Sequence, residues 1–246
     1  MTLLVKSENW REAIDLYEDT LTRRPDWTMR EVGNIVPLAQ AALRSGNRKV
    51  VRLLSPNAFS YGSEDGRQLN LQAMRDLLSA LRNACTAKAR ILFAHFPSEA
   101  RPEHVTPETL ELLKEFADND EIVIGAQSGS RRMLEACNRS HSVEDILTAV
   151  SLARKYGFKV IIDFIYGLPG ESEVDMRESM AVMEEVVRMG ARIHPHIFAP
   201  LPQTPFADKR PGGFAPDVKE ALKRFASRRG IYYAKSQRSG CNGPMA

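Results

Sequence analysis

The chain has 246 residues, 43% apolar and 26% charged, a composition that suits one α/β domain with a buried core and excludes wholesale disorder. Its 34 basic and 31 acidic residues are spread along the sequence, so the net charge of +3 contains no polybasic tract of the kind that follows a phosphate backbone, and nucleic acid is not an expected partner. Met1–Val5 is too short for a secretory segment and no apolar run reaches membrane-spanning length, which leads to the expectation of a cytoplasmic protein with no membrane partner.

In chain order, Trp10–Arg23 reads as an amphipathic helix with Ala13, Leu16, Tyr17 and Leu21 on one face. It falls outside the alternation that follows, so residues 1–27 are set apart as an N-terminal helical extension. From residue 28 helical and strand periods alternate, the signature of β/α units on a parallel sheet. Thr28–Ser45 reads as a helix and Arg48–Leu54 as a buried strand. Asn70–Ala84 is an amphipathic helix with Leu71, Met74, Leu77, Leu78 and Leu81 on its apolar face, and Ala89–Phe96 is a second strand. Thr106 before Pro107 marks a helix start, with Leu110, Leu112, Leu113 and Phe116 turned inward. Glu121–Ala126, Phe158–Tyr166 and Ala191–Ala199 are three further strands. Helices over Ser142–Tyr156 and Glu173–Met189 lie between them, stopped by Gly157 and Gly190. A basic stretch, Lys219–Arg238, reads as a solvated helix face and tail. Residues 28–246 thus form one (β/α) core, either a barrel or an open sheet, and in both architectures chemistry belongs at the strand C-terminal ends.

Four strand ends hold unusual residues: SPNAFSYG from Ser55, HFPSEARPE from His95, GAQSGS from Gly125, and IDFIYGLPGES from Ile162. Turn formation alone accounts for their Gly, Pro, Asn and Ser, but not for Gln127, Arg139, Asp163 and Glu171. Asp163 sits in the apolar run Ile161, Ile162, Phe164, Ile165, where an inward charge needs a partner. A carboxylate there suits a ribose diol, with Gln127 supplying an amide contact. His194 and His196 alternate along the last strand and face one side, close enough to share a ligand or metal. With Pro195 between them and no third ligand in view, no metal site is expected.

The run IGAQSGSRRMLEACNRSHSVEDILTAVSLARKYGFKVIIDFIYGLPGE resembles the fourth- and fifth-strand region of the radical S-adenosylmethionine (radical SAM) superfamily. The likeness is greatest to the branch of methylthiotransferases, coproporphyrinogen dehydrogenases and proteins pairing a cobalamin-binding domain with a radical SAM domain. FPSEARPEHVTPETLELL looks like the last of these in particular. The resemblance runs from about Thr28 to Phe206 and implies a partial (β/α) TIM-like barrel. It further implies that Gln127 and Asp163, beside Ser128, bind the adenosyl ribose of S-adenosylmethionine, and that Arg139 meets the methionine carboxylate. Gly167 and Gly170 would let backbone and adenine approach, Ile197 would flank the adenine, and Asn57 would bind the methionine amino group. His95, Glu99 and Arg101 lie at a strand end left to an unidentified substrate.

In one respect the sequence departs from the family. Radical SAM chemistry needs a [4Fe–4S] cluster held by three thiolates, normally in CxxxCxxC after the first strand. Here the three cysteines, Cys85, Cys137 and Cys241, are far apart and none lies in the segment before Thr28. The first strand and cluster loop are therefore expected to be missing as a unit. Three explanations stand: a truncated or frameshifted piece of a longer enzyme whose cobalamin domain and cluster loop lie upstream, one subunit of a split enzyme completed in trans by a cobalamin- or cluster-bearing subunit, or a stand-alone pseudoenzyme that binds a nucleoside or a partner without radical chemistry.

Overall fold

The computed structural model describes residues 29–44, 50–86, 88–202 and 204–212, together with 218 and 220. The expected extension 1–27, the basic tail apart from Glu220, and Cys241 lie outside the described residues. The chain divides into two compact units, one reaching Ile124 and including Lys155–Phe158, the other holding Gly125–Arg154 and the chain from Lys159 onward.

The first unit contains helix α1 (Val32–Arg44), strand β1 (Val50–Arg52), helix α2 (Leu71–Ala84), strand β2 (Arg90–Leu92), helix α3 (Pro107–Phe116) and the start of strand β3 (Glu121–Gln127). β1 and β2 pair in parallel with Val51 opposite Ile91. Met74, Leu77, Leu78 and Leu81 of α2 and Leu110 and Leu113 of α3 are wholly buried, as their helical spacing requires. Leu71 and Phe116 depart from that pattern. Leu71 opens its helix at 36% exposure, and Phe116 is half-buried beneath the Arg75 guanidinium, 5.5 Å from its ring centre. Thr106 caps α3 as expected: its hydroxyl accepts from Thr109 N while Pro107 occupies the first turn.

β2 stops earlier than its apolar run suggests. Beyond Leu92 the Asn119 side chain takes the place of a neighbouring strand, accepting from Phe93 N at 3.1 Å and donating to Phe93 O at 2.8 Å. Ala94 then turns into the left-handed region at φ 49°, which ends the pleat.

The second unit holds α4 (Arg131–Ala136), α5 (Val143–Lys155), β4 (Lys159–Tyr166), α6 (Glu173–Arg188) and β5 (Arg192–Ile197), and the sheet order is β3-β4-β5. β4 and β5 are parallel, with Asp163 opposite His194 and Ile165 opposite His196. Ile161, Ile162, Phe164 and Tyr166 of β4 and Met183 and Val186 of α6 are at most 1% exposed. Such continuous burial is what a parallel strand covered on both faces shows. The six-residue α4 was not visible as a helical period, because it is too short to repeat one.

Candidate functional site

Three strands end in residues held at positive φ: Ala94 at 49° just after β2 in the first unit, and in the second unit Gln127 at 65° closing β3 and Gly167 at 71° just after β4. Glycine adopts this conformation without steric cost. Gln127 does not, and its 5% exposure places the strained residue inside the protein. Its neighbour Ala126 is fixed by His141, whose Nε2 lies 3.0 Å from the Ala126 carbonyl oxygen. The histidine of the NRSH segment thus braces the strand end on which Gln127 sits.

Asp163 is 8% exposed, and its expected partner proves to be the pair of histidines on the adjacent strand. His194 Nδ1 is 3.0 Å from Asp163 Oδ1 and His196 Nε2 is 3.6 Å from the same oxygen. The two imidazoles meet edge to face, with centroids 4.3 Å apart. Burial pushes the Asp163 pKa up, but the hydrogen bonds from His194 and His196 outweigh it and hold the carboxyl below its ordinary value. The group is therefore an anion at neutral pH.

The QSGS loop is fastened to α6. Ser128 Oγ is 3.2 Å from Ser179 Oγ and accepts from Ser130 N at 3.1 Å, so this buried hydroxyl holds the loop in place. Gly129 N donates to Ser179 Oγ at 2.9 Å. A Cβ on Gly129 would lie 2.6 Å from Ser179 Cα, a contact no side-chain rotation relieves. Gly129→Ala is accordingly expected to cost about 1–3 kcal/mol of stability, read as a lower denaturant midpoint with an unchanged slope.

Beside the loop, Asp175 accepts from Ser130 Oγ at 2.7 Å, Arg132 Nε at 3.1 Å and Ser172 N at 2.8 Å, and it pairs closely with Arg132 Nη2. Burial raises its pKa, yet the hydrogen bonds from Arg132, Ser172 and Ser130 prevail and hold the carboxyl well below the usual carboxylate range. Neither Arg132 nor Asp175 emerged from the sequence. The spacing Ser172-x-x-Asp175, a capping box in the structure, was the available signal.

Arg139 follows α4, where Asn138 takes the left-handed conformation at φ 53° and Arg139 N bonds Leu134 O at 2.8 Å, a helix-ending turn that fixes its backbone. Gly167 serves a close approach, but to other backbone: Gly212 N donates to Gly167 O at 2.9 Å, and a Cβ would meet Gly212 O at 3.0 Å. Gly170, at φ 81°, has open space about it and is needed for its conformation alone. Glu171 Oε2 accepts from Gly167 N at 2.7 Å and Leu168 N at 3.3 Å, and burial raises its pKa in spite of those bonds. Ile197, closing β5, is 62% exposed.

In the first unit, Asn57 Nδ2 lies 3.0 Å from His104 Nδ1 and its Oδ1 accepts from Arg101 N at 3.2 Å, so each end of the amide has a partner within the protein. His95 is 3.4 Å from Glu121. Burial and the Arg52 charge lower its pKa. Arg101 faces Glu103 at 3.5 Å.

Parallel strands joined by helices, with a buried carboxylate beside two imidazoles on adjacent strands, define an α/β protein. Within that class the chain belongs to the radical SAM superfamily, whose sequence profile matches residues 9–183. An uncharacterised protein of Methanopyrus kandleri is 27% identical over 184 residues, which are 74% of this chain and 35% of that protein. A tRNA-2-methylthio-N(6)-dimethylallyladenosine synthase of Chlorobium chlorochromatii is 31% identical over 191 residues, 76% of this chain and 38% of the synthase. The chain thus spans little more than a third of the length of these curated relatives. Among solved structures, TsrM of Kitasatospora setae, a radical S-adenosylmethionine methyltransferase with cobalamin and a [4Fe–4S] cluster bound, matches with a TM-score of 0.54 at 17% identity, over 73% of this chain and 33% of that one. That likeness establishes the radical SAM fold.

Among the described residues, the two cysteines do not fit a cluster. Cys85 caps the end of α2 and Cys137 the end of α4, both half-buried. Burial raises both thiol pKa values, which favours neutral thiols over the thiolates that iron requires.

Proposed function

We propose that this chain is the S-adenosylmethionine-binding part of a radical SAM enzyme, and that reductive cleavage of the cofactor needs thiolates from outside the chain. The observation that carries the reading is Asp163: a buried carboxylate kept ionised at neutral pH, on the strand the family uses for the ribose. In this reading Asp163 and Gln127 take the ribose hydroxyls, Arg139 takes the methionine carboxylate, and the exposed Ile197 covers one adenine face. Ser128 and Gly167 support the site by shaping the backbone that carries these groups. When bound, S-adenosylmethionine supplies a sulfonium open to one-electron cleavage. The protein's own part is to orient the nucleoside and the amino-acid end.

The electron source is a cluster on a further domain or subunit, one that also carries cobalamin if the resemblance to the cobalamin-dependent branch extends so far. The two half-buried thiols, whose pKa values are raised, also favour a second reading, a non-catalytic nucleoside-binding protein. Both readings are tested by reconstituting the purified chain anaerobically with iron and sulfide and adding dithionite and S-adenosylmethionine. No cluster absorbance and no 5′-deoxyadenosine are expected. A stable four-iron cluster on this chain alone would refute the need for outside thiolates. Arg139→Gln is expected to weaken S-adenosylmethionine binding roughly 30-fold, the worth of a charge-assisted bidentate contact of about 2 kcal/mol, measured by calorimetry.

A further inference from the structure

The cluster of Asp163, His194 and His196 supplies the third ligand that the sequence alone did not offer. We propose that these three residues form a binding site for a divalent first-row transition ion such as Zn²⁺ or Fe²⁺. The inference does not depend on the nucleoside reading, since it uses only the three side chains and their spacing.

The geometry comes from the register of two parallel strands. Asp163 of β4 stands opposite His194 of β5, and His196, two residues further on, projects from the same face of its strand. One potential ligand atom from each residue lies within 4.8 Å of the other two. Asp163 Oδ1 is 3.0 Å from His194 Nδ1 and 3.6 Å from His196 Nε2. An ion bound tetrahedrally at the usual distance of about 2.0–2.1 Å holds its ligand atoms about 3.3 Å apart, between those two values. The two imidazole ligand atoms lie within 4.8 Å of each other, so the set closes on an ion by drawing these side chains together.

The donor set selects the ion. Two imidazoles and one carboxylate suit zinc, iron, cobalt and manganese, whereas magnesium and calcium favour all-oxygen sites. Three protein ligands on one side leave coordination positions open, as in sites that accept water or substrate rather than purely structural ones. His194 and Asp163 form the buried wall, with side chains 1% and 12% exposed, while the His196 side chain at 35% gives an ion its way in.

The test is a titration of the full chain, first stripped with chelator, with Co²⁺ at neutral pH under argon, followed by competition with Zn²⁺. One equivalent of Co²⁺ is expected to bind with visible d–d bands and without a thiolate charge-transfer band, and Zn²⁺ is expected to displace it. His194→Gln and His196→Gln are each expected to weaken binding at least about 100-fold, with circular dichroism confirming the fold. His196, the more exposed of the two, keeps the test valid if the His194 variant fails to fold. Cys85→Ser and Cys137→Ser should bind as the wild type does. Absence of saturable binding, or full binding retained by the His196 variant, overturns the site and leaves a hydrogen-bonded histidine–aspartate cluster. Titrating S-adenosylmethionine into the same metal-free protein keeps the nucleoside reading separate: either can fail while the other stands.

Discussion

Asp175→Ala is expected to lower the unfolding free energy by about 3 kcal/mol at neutral pH. The Asp175 side chain is 4% exposed and accepts hydrogen bonds from Ser130, Ser172 and Arg132, so its removal strands buried donors and detaches the QSGS loop from the start of α6. Arg132 is 56% exposed and regains water when its partner goes, which keeps the loss at the lower end of the range for breaking a buried pair. The effect has a defined pH dependence. Because the folded-state pKa lies below the unfolded one, the stabilisation is complete above the unfolded value of about 3.9 and is lost as pH falls toward the folded value. Denaturant unfolding of wild type and Asp175→Asn should therefore show a gap at pH 7 that narrows in acid. A gap of constant size would mean that Asp175 does not titrate differently in the two states.

The second large effect is at Asp163. Replacing it with Asn keeps the shape but removes the charge that two ribose hydroxyls would share. With hydrogen bonds to a charged acceptor worth about 1.5–3 kcal/mol, the dissociation constant for S-adenosylmethionine should rise roughly 100-fold. The same change in methionine affinity should be absent, because the amino-acid end is assigned to Arg139. Equal losses for nucleoside and free methionine would point to a general disturbance of the strand instead.

The fold was legible where burial and period coincide. The α2 and α3 faces, the Thr106–Pro107 helix start and the continuous apolar run of β4 all follow from spacing and appear in the structure. What sequence could not convey depends on partners distant along the chain. Asp163 stood out as a charge in an apolar strand, but naming its partners needs the β4–β5 register, which joins residues 31 positions apart. Asn57 carried a family role, but its contact with His104, 47 residues away, could not be read from the sequence. The contact of the Ser128 hydroxyl with Ser179 on α6 was equally out of reach, because no local pattern specifies how that helix docks. Gln127 was found by motif, but its left-handed backbone was not, since glutamine carries no preference for it.

The nucleoside site is expected to exist independently of iron, and calorimetry on the iron-free wild-type chain tests this directly. Titration with S-adenosylmethionine is expected to show saturable binding of one molecule per chain, strongly weakened in Asp163→Asn. Absence of binding by the iron-free wild type, or equal binding by wild type and variant, would contradict the assignment.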